Sequence, residues 1–285
     1  MDTISKYFSL VKFSHTIFAL PFALIGFFLA VKYGHYQLSW QVFILVILCM
    51  VFARNAAMGF NRYIDRKIDK LNPRTSGRDI PSGRINAFNA LVFVLLNSFL
   101  FILATWFINT LVFMLSPVAL TVILGYSLTK RFTFLCHLIL GVGLSLAPIG
   151  AYLSVAGKFD IVPVLFSFMV LFWSAGFDII YALQDDEFDR ENKLFSIPAI
   201  LGKRKSLVVS ILLHLVSALF VVLAGILAGF GNWYWIGALI FIGLLIYQHS
   251  IVKYNDLSRV NLAFFTTNGV ASVVFSLFTI LSLYM

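Results

Sequence analysis

Long apolar segments are the feature that most limits what this chain of 285 residues can fold into. A helix that spans a bilayer needs about 20 mainly apolar residues, and the sequence holds nine segments of this kind. Their centres are Leu24, Leu45, Leu96, Leu120, Leu144, Leu171, Leu215, Ile240 and Phe275. Apolar residues make up 61% of the chain, against about 45–50% in soluble domains. We therefore predict an all-α integral membrane protein with nine transmembrane helices.

The continuity of these segments and the placement of the cysteines exclude several other classes. No segment shows the alternation of polar and apolar residues that a membrane β-barrel strand requires. Cys49 and Cys136 each stand alone in or beside an apolar segment, so neither a disulfide framework nor a zinc site is indicated. The first apolar segment, residues 13–31, is long and lacks a small-residue cleavage site. We expect no signal peptide and favour a bacterial cytoplasmic membrane.

The net charge of +9 is explained by membrane topology rather than by a nucleic-acid partner. With nine transmembrane helices, all of the 21 basic residues except Lys32 and Lys158 lie on the side of the N-terminus. Basic residues concentrate on the cytoplasmic side of membrane proteins. The distribution therefore predicts a cytoplasmic N-terminus, and we expect a lipid bilayer but no nucleic acid among the partners.

Two acidic segments, residues 61–69 and 178–189, interrupt this apolar chain. Acidic side chains at a membrane edge are costly and by default mark a path for an ion or a substrate. In a continuous α-helix, each segment would carry its acidic and amide groups on one face. These groups are Asn61, Asp65 and Asp69 in the first segment, and Asp178, Asp185 and Asp189 in the second. Asp186, Glu187 and Glu191 lie off that face and are expected to be solvated.

Carboxylates stacked one turn apart repel each other, so such a face needs cations. The alternative for the first segment is an ordinary solvated helix in which Arg66, Lys67 and Lys70 pair with the acids. The recurrence of the cluster at matching ends of two apolar segments favours a site. Hard oxygen ligands with no Cys or His nearby suit Mg2+, and the usual partner of that ion is a phosphate.

The long polar segments, residues 54–84 and 184–205, each follow an apolar segment and contain one acidic cluster. We interpret the chain as one domain, residues 1–285, in which two pseudo-repeated halves surround a cavity that opens at the cytoplasmic face. Mg2+ and basic side chains there would neutralise a departing pyrophosphate. An aromatic lining, which 31 phenylalanines can supply, would protect the resulting allylic cation until an aromatic substrate captures it.

Several long motifs occur in one order along the chain, at residues 12–21, 53–58, 72–75, 126–133, 176–189 and 196–198. With these motifs the sequence resembles the UbiA superfamily of membrane prenyltransferases, and within it the 4-hydroxybenzoate polyprenyltransferase branch. The pattern N-x-x-x-D-x-x-x-D fits Asn61, Asp65 and Asp69. The pattern D-x-x-Y-A-x-x-D-x-x-x-D fits Asp178, Tyr181, Ala182, Asp185 and Asp189.

The resemblance implies roles for these residues. The groups that would hold Mg2+, and through it the isoprenoid diphosphate, are Asn61, Asp65, Asp69, Asp185 and Asp189. Asp178 would order the second motif or join its metal shell. Lys130 and Arg74 would neutralise the diphosphate, and Tyr126 and Tyr181 would help to position substrate. Arg54 would bind the carboxylate of an aromatic acceptor as a planar ion pair.

Other polar residues in apolar surroundings are expected to have no such role. Arg131 is interpreted as a membrane-surface anchor, and His15 is more often a packed or interfacial histidine than a ligand. His137, His214 and His249 are expected to be packing histidines.

The function predicted from the sequence is Mg2+-dependent transfer of a polyprenyl group from polyprenyl diphosphate to a 4-hydroxybenzoate-like aromatic acid. The reaction would release pyrophosphate and belong to quinone biosynthesis. The group that removes the ring proton is left open. An alternative within the same chemistry is a menaquinone-pathway enzyme with another aromatic or aminofutalosine-type acceptor. A secondary transporter is the alternative of another class, although the acids lie at one membrane surface rather than at the midplane.

Overall fold

A computed structural model describes residues 10–11 and 17–285 of the chain. These residues form helices and one isolated β-bridge, between Lys253 and Asp256, with no β-strand. The α-helices are α1 (Leu20–Lys32), α2 (Trp40–Leu71), α3 (Ala87–Trp106), α4 (Thr110–Thr129), α5 (Cys136–Ala156), α6 (Ile161–Ala182), α7 (Asp186–Glu191), α8 (Ile197–Ala228), α9 (Asn232–Ile251) and α10 (Asn268–Tyr284). A 3₁₀ turn at Leu183–Asp185 precedes α7, and a π-helix at Leu262–Thr267 precedes α10. The predicted all-α fold is confirmed.

Eight helical segments of the described chain are long and apolar enough to cross a membrane. They are α2 to α5, α6 continued to Glu191, α8, α9, and the π-helix joined to α10. Each of the nine predicted centres lies in a different helix. Only α1 falls short of a full crossing in the described chain, because it is apolar but has only 13 residues, the last of which is Lys32. Residues 13–16, which were included in that predicted segment, lie outside the described residues.

Local side-chain chemistry sets where several helices begin and end. Five helices start at a residue whose side chain accepts a hydrogen bond from an amide of the first turn, which satisfies a donor that has no partner within the helix. These residues are Ser39, Asn86, Asn109, Asp160 and Ser196. Gly157 and Gly229 end α5 and α8 with φ of 63°, a left-handed conformation in which a side chain would be strained.

Glycine allows two helices of this protein to approach each other closely. A Cβ at Gly26 of α1 would approach the Pro148 carbonyl oxygen of α5 to 2.0 Å. Hydroxyls also join helices, since the Ser210 Oγ of α8 donates to the Gly176 carbonyl of α6 at 2.7 Å. In a membrane, such close packing and hydrogen bonding replace the hydrophobic drive that holds a soluble bundle together. These contacts hold α1 against α5 and α6 against α8.

The two acidic segments differ in local structure. Residues 61–69 lie within α2 and are continuously helical, as the spacing argument requires. The second segment is not one α-helix, because α6 ends at Ala182 and the 3₁₀ turn separates it from α7. One turn of a 3₁₀ helix holds 3.0 residues rather than the 3.6 of an α-helix. The side chains of Asp185 and Asp189 therefore do not continue the helical face that carries Asp178. Contacts from elsewhere in the fold, described below, hold Asp185 instead.

Candidate active site

A cavity of about 580 Å³ lies among α2, α4, α5 and α6. Its lining includes all the residues that the sequence singled out as site residues: Arg54, Asn61, Asp65, Asp69, Arg74, Tyr126, Lys130, Asp178, Tyr181, Asp185 and Asp189. The rest of its wall is mainly apolar and includes Val46, Leu115, Val122, Leu146 and Phe159. The cavity therefore joins a charged end, where α2 and α6 end, to a long apolar region.

Asp65 is the most enclosed carboxylate of the charged end, with 2% of its surface exposed. Its Oδ2 lies 2.8 Å from the Nζ of Lys130 and its Oδ1 lies 2.8 Å from Nη2 of Arg131. Asn61 donates to Oδ2 at 3.4 Å from one turn earlier on α2. Arg131, which the sequence led us to regard as a membrane anchor, therefore contacts the site as directly as Lys130 does.

Asp69 lies one turn further along α2 and is 4% exposed. The Nη1 of Arg78 donates to its Oδ1 at 2.7 Å. Its Oδ2 is buried and has no hydrogen-bond partner in the described part of the chain. A buried carboxylate oxygen without a partner is costly, so this atom is a candidate to coordinate a cation. Among the described residues, Asp65 and Asp69 form ion pairs with Lys130, Arg131 and Arg78, and not with Arg66, Lys67 or Lys70.

Asp185 is held from the loop that follows α2. Arg74 donates through Nε to its Oδ1 at 2.8 Å and through Nη2 to its Oδ2, a two-pronged contact that suits a planar guanidinium. The side-chain amide of Asn72 donates to the same Oδ1 at 3.0 Å. Burial opposes the charge of Arg74, but its hydrogen bond to Asp185 outweighs this, and the pKa of Arg74 is raised. The Arg74 Nη1 also donates to the Tyr181 hydroxyl at 2.9 Å.

Asp178 has a partner that the sequence did not suggest. Its Oδ2 lies 2.7 Å from Nδ1 of His137, at the start of α5, and both side chains line the cavity. His137 is thus more than a packing histidine. The sequence held no signal for this pair, since the two residues are 41 positions apart on different helices. Nearby, Asp189 lines the cavity and interacts with Ser196.

Arg54 and Arg62 line the cavity without an ion pair to a described residue. The Nε of Arg54 is buried and unbonded. Arg62 is 8% exposed and lies near enough to Tyr126 and Tyr181 to interact with both electrostatically. Arg62 also interacts electrostatically with Asp69. A buried polar atom without a partner is expensive, so the Nε of Arg54 favours an anionic ligand. Arg62 and Arg78 are site residues that the sequence reasoning missed.

Several charged residues and histidines were assigned no role in the site from the sequence. Asp186 was expected to be solvated, but it is 9% exposed and pairs with Lys203 at 3.3 Å. Glu187 is exposed, as expected. His214 and His249 contact each other at 2.8 Å, Nδ1 to Nε2, away from the cavity lining. His15 and the first part of the motif at residues 12–21 lie outside the described residues.

The charged end fits Mg2+ in its donor chemistry. The available groups are amide and carboxylate oxygens, which hard divalent cations prefer, and one of them is the buried unbonded Asp69 Oδ2. Three or more His, Cys, Asp or Glu side chains do not come together as one metal cluster within the described residues. The carboxylates are instead divided between α2 and the second acidic segment, and Asp65, Asp69 and Asp185 are each paired with basic side chains.

Comparison with known proteins agrees with this arrangement. Residues 19–270 match the UbiA prenyltransferase family. The chain is 31% identical to the 4-hydroxybenzoate octaprenyltransferase of Aliivibrio fischeri (strain MJ11) over 240 residues, covering 83% of this chain and 82% of the relative. The corresponding enzyme of Paraburkholderia phytofirmans is 29% identical over 83% of this chain and 82% of its own length.

The fold is also found in solved structures. An apo structure of a UbiA homologue from Aeropyrum pernix K1 superposes with a TM-score of 0.85 at 29% identity, covering 94% of this chain and 97% of that one. A UbiA homologue from Archaeoglobus fulgidus bound to DMAPP and Mg2+ has a TM-score of 0.77 at 20% identity, covering 98% and 99%. The family match, which includes most of the chain and both acidic segments, confirms the resemblance seen in the sequence. This protein belongs to the UbiA family of membrane prenyltransferases.

Proposed function

We propose that this prenyltransferase transfers a polyprenyl group from polyprenyl diphosphate to an aromatic acid of the 4-hydroxybenzoate type, in quinone biosynthesis. The single observation that carries the proposal is the continuity of the cavity. One end holds carboxylates and basic side chains suited to a diphosphate, and the rest is apolar and suited to an isoprenoid chain. The relatives named 4-hydroxybenzoate octaprenyltransferase support this choice of acceptor.

The diphosphate would bind at the charged end. When bound there, Mg2+ would act as a Lewis acid that neutralises the leaving group, held by Asn61, Asp65, Asp69, Asp185 and Asp189. The basic groups now paired with these carboxylates are Lys130, Arg131, Arg78 and Arg74. Each of them is positioned to donate to phosphate oxygens instead. Stabilising the pyrophosphate in this way is what allows the allylic carbon–oxygen bond to break.

The aromatic acceptor would bind deeper in the cavity. Arg54 lies 11 residues before Asp65 on the continuous helix α2, which corresponds to about 16 Å along the helix axis. Its buried and unbonded Nε supports binding of a carboxylate there. The acceptor ring would then lie between Arg54 and the breaking bond. Attack of the ring on the allylic carbon, followed by loss of the ring proton to a carboxylate or to the released pyrophosphate, would form the product by electrophilic substitution. The apolar wall keeps water from that carbon.

The proposed orientation places the charged end at the cytoplasmic face of a bacterial inner membrane. Lys32 and Lys158 are the two basic residues expected on the opposite side of the membrane. Each of them lies over an aromatic ring. Lys32 Nζ lies 4.0 Å from the centre of the Tyr284 ring, and Lys158 Nζ lies 5.9 Å from that of Tyr36. Aromatic residues are common at membrane interfaces. We also propose that residues 1–285 form one domain, because one cavity is built from both halves.

A reconstituted assay tests this function. The purified protein in nanodiscs is given Mg2+, polyprenyl diphosphate and a panel of aromatic acids, with pyrophosphate release and product mass as readouts. We expect the amount of prenylated acid formed to equal the amount of pyrophosphate released. Asp65→Asn and Asp185→Asn should abolish both signals while leaving the protein monodisperse.

The same panel separates the alternatives. Product from a different aromatic or aminofutalosine-type acceptor, with none from 4-hydroxybenzoate, would favour the menaquinone-pathway alternative. Solute transport without turnover would favour a transporter and refute the proposed function.

A further inference from the structure

The π-helix at Leu262–Thr267 departs from the α-helical geometry of the element that it opens. It runs directly into α10, and the two together form a segment long enough to cross a membrane. A π-helical turn of this kind is rare and is frequently found at functional sites. One of its residues, Phe264, lines the cavity. The turn therefore brings the C-terminal helix into the wall of the proposed active site.

Asn268 holds the π-helix in place. Its side chain is fully buried, and its Nδ2 donates to the carbonyl oxygens of Ala263 and Phe264, both at 3.0 Å. Its Oδ1 accepts the Nε1–H of Trp173, a buried residue of α6, also at 3.0 Å. Loss of any of these partners would leave a buried polar group unsatisfied, which is costly. The backbone at Phe264 is therefore anchored to α6.

Phe264 packs on the ring of Tyr181. The two ring centres lie 4.2 Å apart, with an angle of 31° between the ring planes. Phe177, one turn before Tyr181 on α6, has its ring centre 5.4 Å from that of Phe264, with an angle of 75°. Aromatic rings in such arrangements attract each other beyond the effect of their burial. Phe264 thus contacts two successive aromatic side chains of α6 and restricts the orientation of the Tyr181 ring.

Tyr181 in turn restrains Arg74. The Tyr181 hydroxyl accepts a hydrogen bond from Nη1 of Arg74 at 2.9 Å, and the guanidinium carbon lies 5.2 Å from the ring centre. Nε and Nη2 of the same guanidinium donate to Asp185. Arg74 lies on the loop after α2 with 30% of its side chain exposed, so its orientation depends on these contacts. A row of contacts therefore leads from Phe264 through Tyr181 to a cation of the charged end.

We propose that Phe264 is a positioning residue of the diphosphate site, because it fixes Tyr181 and thereby the guanidinium of Arg74. The inference rests on the part of the proposed function in which Arg74 donates to phosphate oxygens. When a diphosphate draws Arg74 away from Asp185, the hydrogen bond to Tyr181 can persist and limit the movement of the guanidinium. A cation that is already oriented loses less conformational entropy on binding, so it binds the diphosphate more tightly. Phe264 itself needs no contact with the diphosphate.

Two ligands separate this role from a direct contact with the isoprenoid chain. The full chain in nanodiscs, with Mg2+, is titrated calorimetrically with geranyl thiodiphosphate, an unreactive analogue, and with inorganic pyrophosphate. Phe264→Ala should weaken the binding of both ligands by about 3- to 10-fold, within the range expected for the loss of an aromatic pair. The two ligands should be affected alike, because both would bind Arg74 and only one of them carries a prenyl chain.

A double-mutant cycle tests whether the effect passes through Tyr181. Tyr181→Phe keeps the ring but removes the hydrogen-bond acceptor of Arg74, so it should weaken both ligands at least as much as Phe264→Ala does. The double variant should bind no more weakly than Tyr181→Phe alone, since both substitutions release the same guanidinium. Independent effects would instead multiply.

Phe265→Ala is the matched control. Phe265 is the next residue of the π-helix, and its ring centre lies 6.0 Å from that of Phe18. It does not line the cavity. Both affinities should therefore remain those of the wild type.

Three results would overturn the proposal. They are a loss of affinity for geranyl thiodiphosphate but not for pyrophosphate, multiplied losses in the double variant, and an equal loss in Phe265→Ala. If Phe264→Ala is not folded by gel filtration, Phe264→Leu, which has no aromatic ring, takes its place in the same cycle. Unchanged affinities in Tyr181→Phe also overturn the proposal, whatever the result at Phe264.

The wild type distinguishes failure of this inference from failure of the proposed function. A wild type that binds both ligands but prenylates no aromatic acid refutes the proposed function and leaves the inference to be decided by the variants above. A wild type that binds neither ligand refutes both.

Discussion

Variants of Arg54 and Lys130 should separate the two proposed substrate sites of the cavity. Lys130 Nζ lies 2.8 Å from Asp65 with 29% of its side chain exposed, so it belongs to the charged end. Arg54 lies about 16 Å away along α2 from Asp65. We expect Arg54→Ala to weaken the aromatic acceptor selectively and Lys130→Ala to weaken the prenyl diphosphate selectively.

The expected magnitudes differ because Lys130 is a partly exposed point charge, whereas Arg54 has a buried Nε and a planar guanidinium. A hydrogen bond to a charged group contributes about 1.5–3 kcal/mol. Partial exposure of Lys130 screens its charge, so its loss should cost about 1–2 kcal/mol, or about 5- to 30-fold in the diphosphate Michaelis constant. Arg54 has a buried Nε and can form two parallel bonds to a carboxylate, so its loss should cost about 2–3 kcal/mol, or about 30- to 150-fold in the acceptor Michaelis constant.

Steady-state kinetics on purified protein in nanodiscs provide the assay, with each substrate varied at saturation of the other. Lys203→Ala is the control, since Lys203 pairs with Asp186 and does not line the cavity. It should change neither Michaelis constant. Equal effects of Arg54→Ala on both substrates would refute the acceptor role of Arg54 and assign it to the diphosphate site or to helix packing.

Two further predictions concern packing and topology. Gly176→Ala should lower the apparent unfolding temperature in detergent, because its Cβ would approach Nε2 of His214 to 2.3 Å and overpacking of this kind costs about 1–3 kcal/mol. Gly125→Ala, with no atom within 4 Å of the added Cβ, is the control, and equal melting of the two variants would contradict the packing argument. Single cysteines at Ser76 and Gly157 should be labelled by membrane-impermeant reagents from opposite faces, with Ser76 cytoplasmic. Labelling of both from one face would overturn the proposed topology.

Much of the fold follows from the sequence, because a bilayer leaves a chain few choices. Backbone polar groups in hydrocarbon must be satisfied within a helix or a closed barrel, so nine continuous apolar segments were sufficient to predict nine helices in order. The first acidic segment was equally predictable. Asn61, Asp65 and Asp69 repeat every four residues, and α2 runs without a break through all three. Local periodicity therefore determined which of these side chains share one face.

The partners of the acidic side chains were decided by tertiary structure alone. The cations that hold Asp65 come from the two residues that follow α4, and the cation that holds Asp185 comes from the loop after α2. His137 reaches Asp178 across 41 residues, and an interrupting 3₁₀ turn changes the register of Asp185. Sequence spacing describes neighbours within one helix, whereas these contacts depend on how helices cross and how loops fold back over them. The sequence determined which residues carry the charge, and only their three-dimensional packing decided that Asp178 pairs with His137.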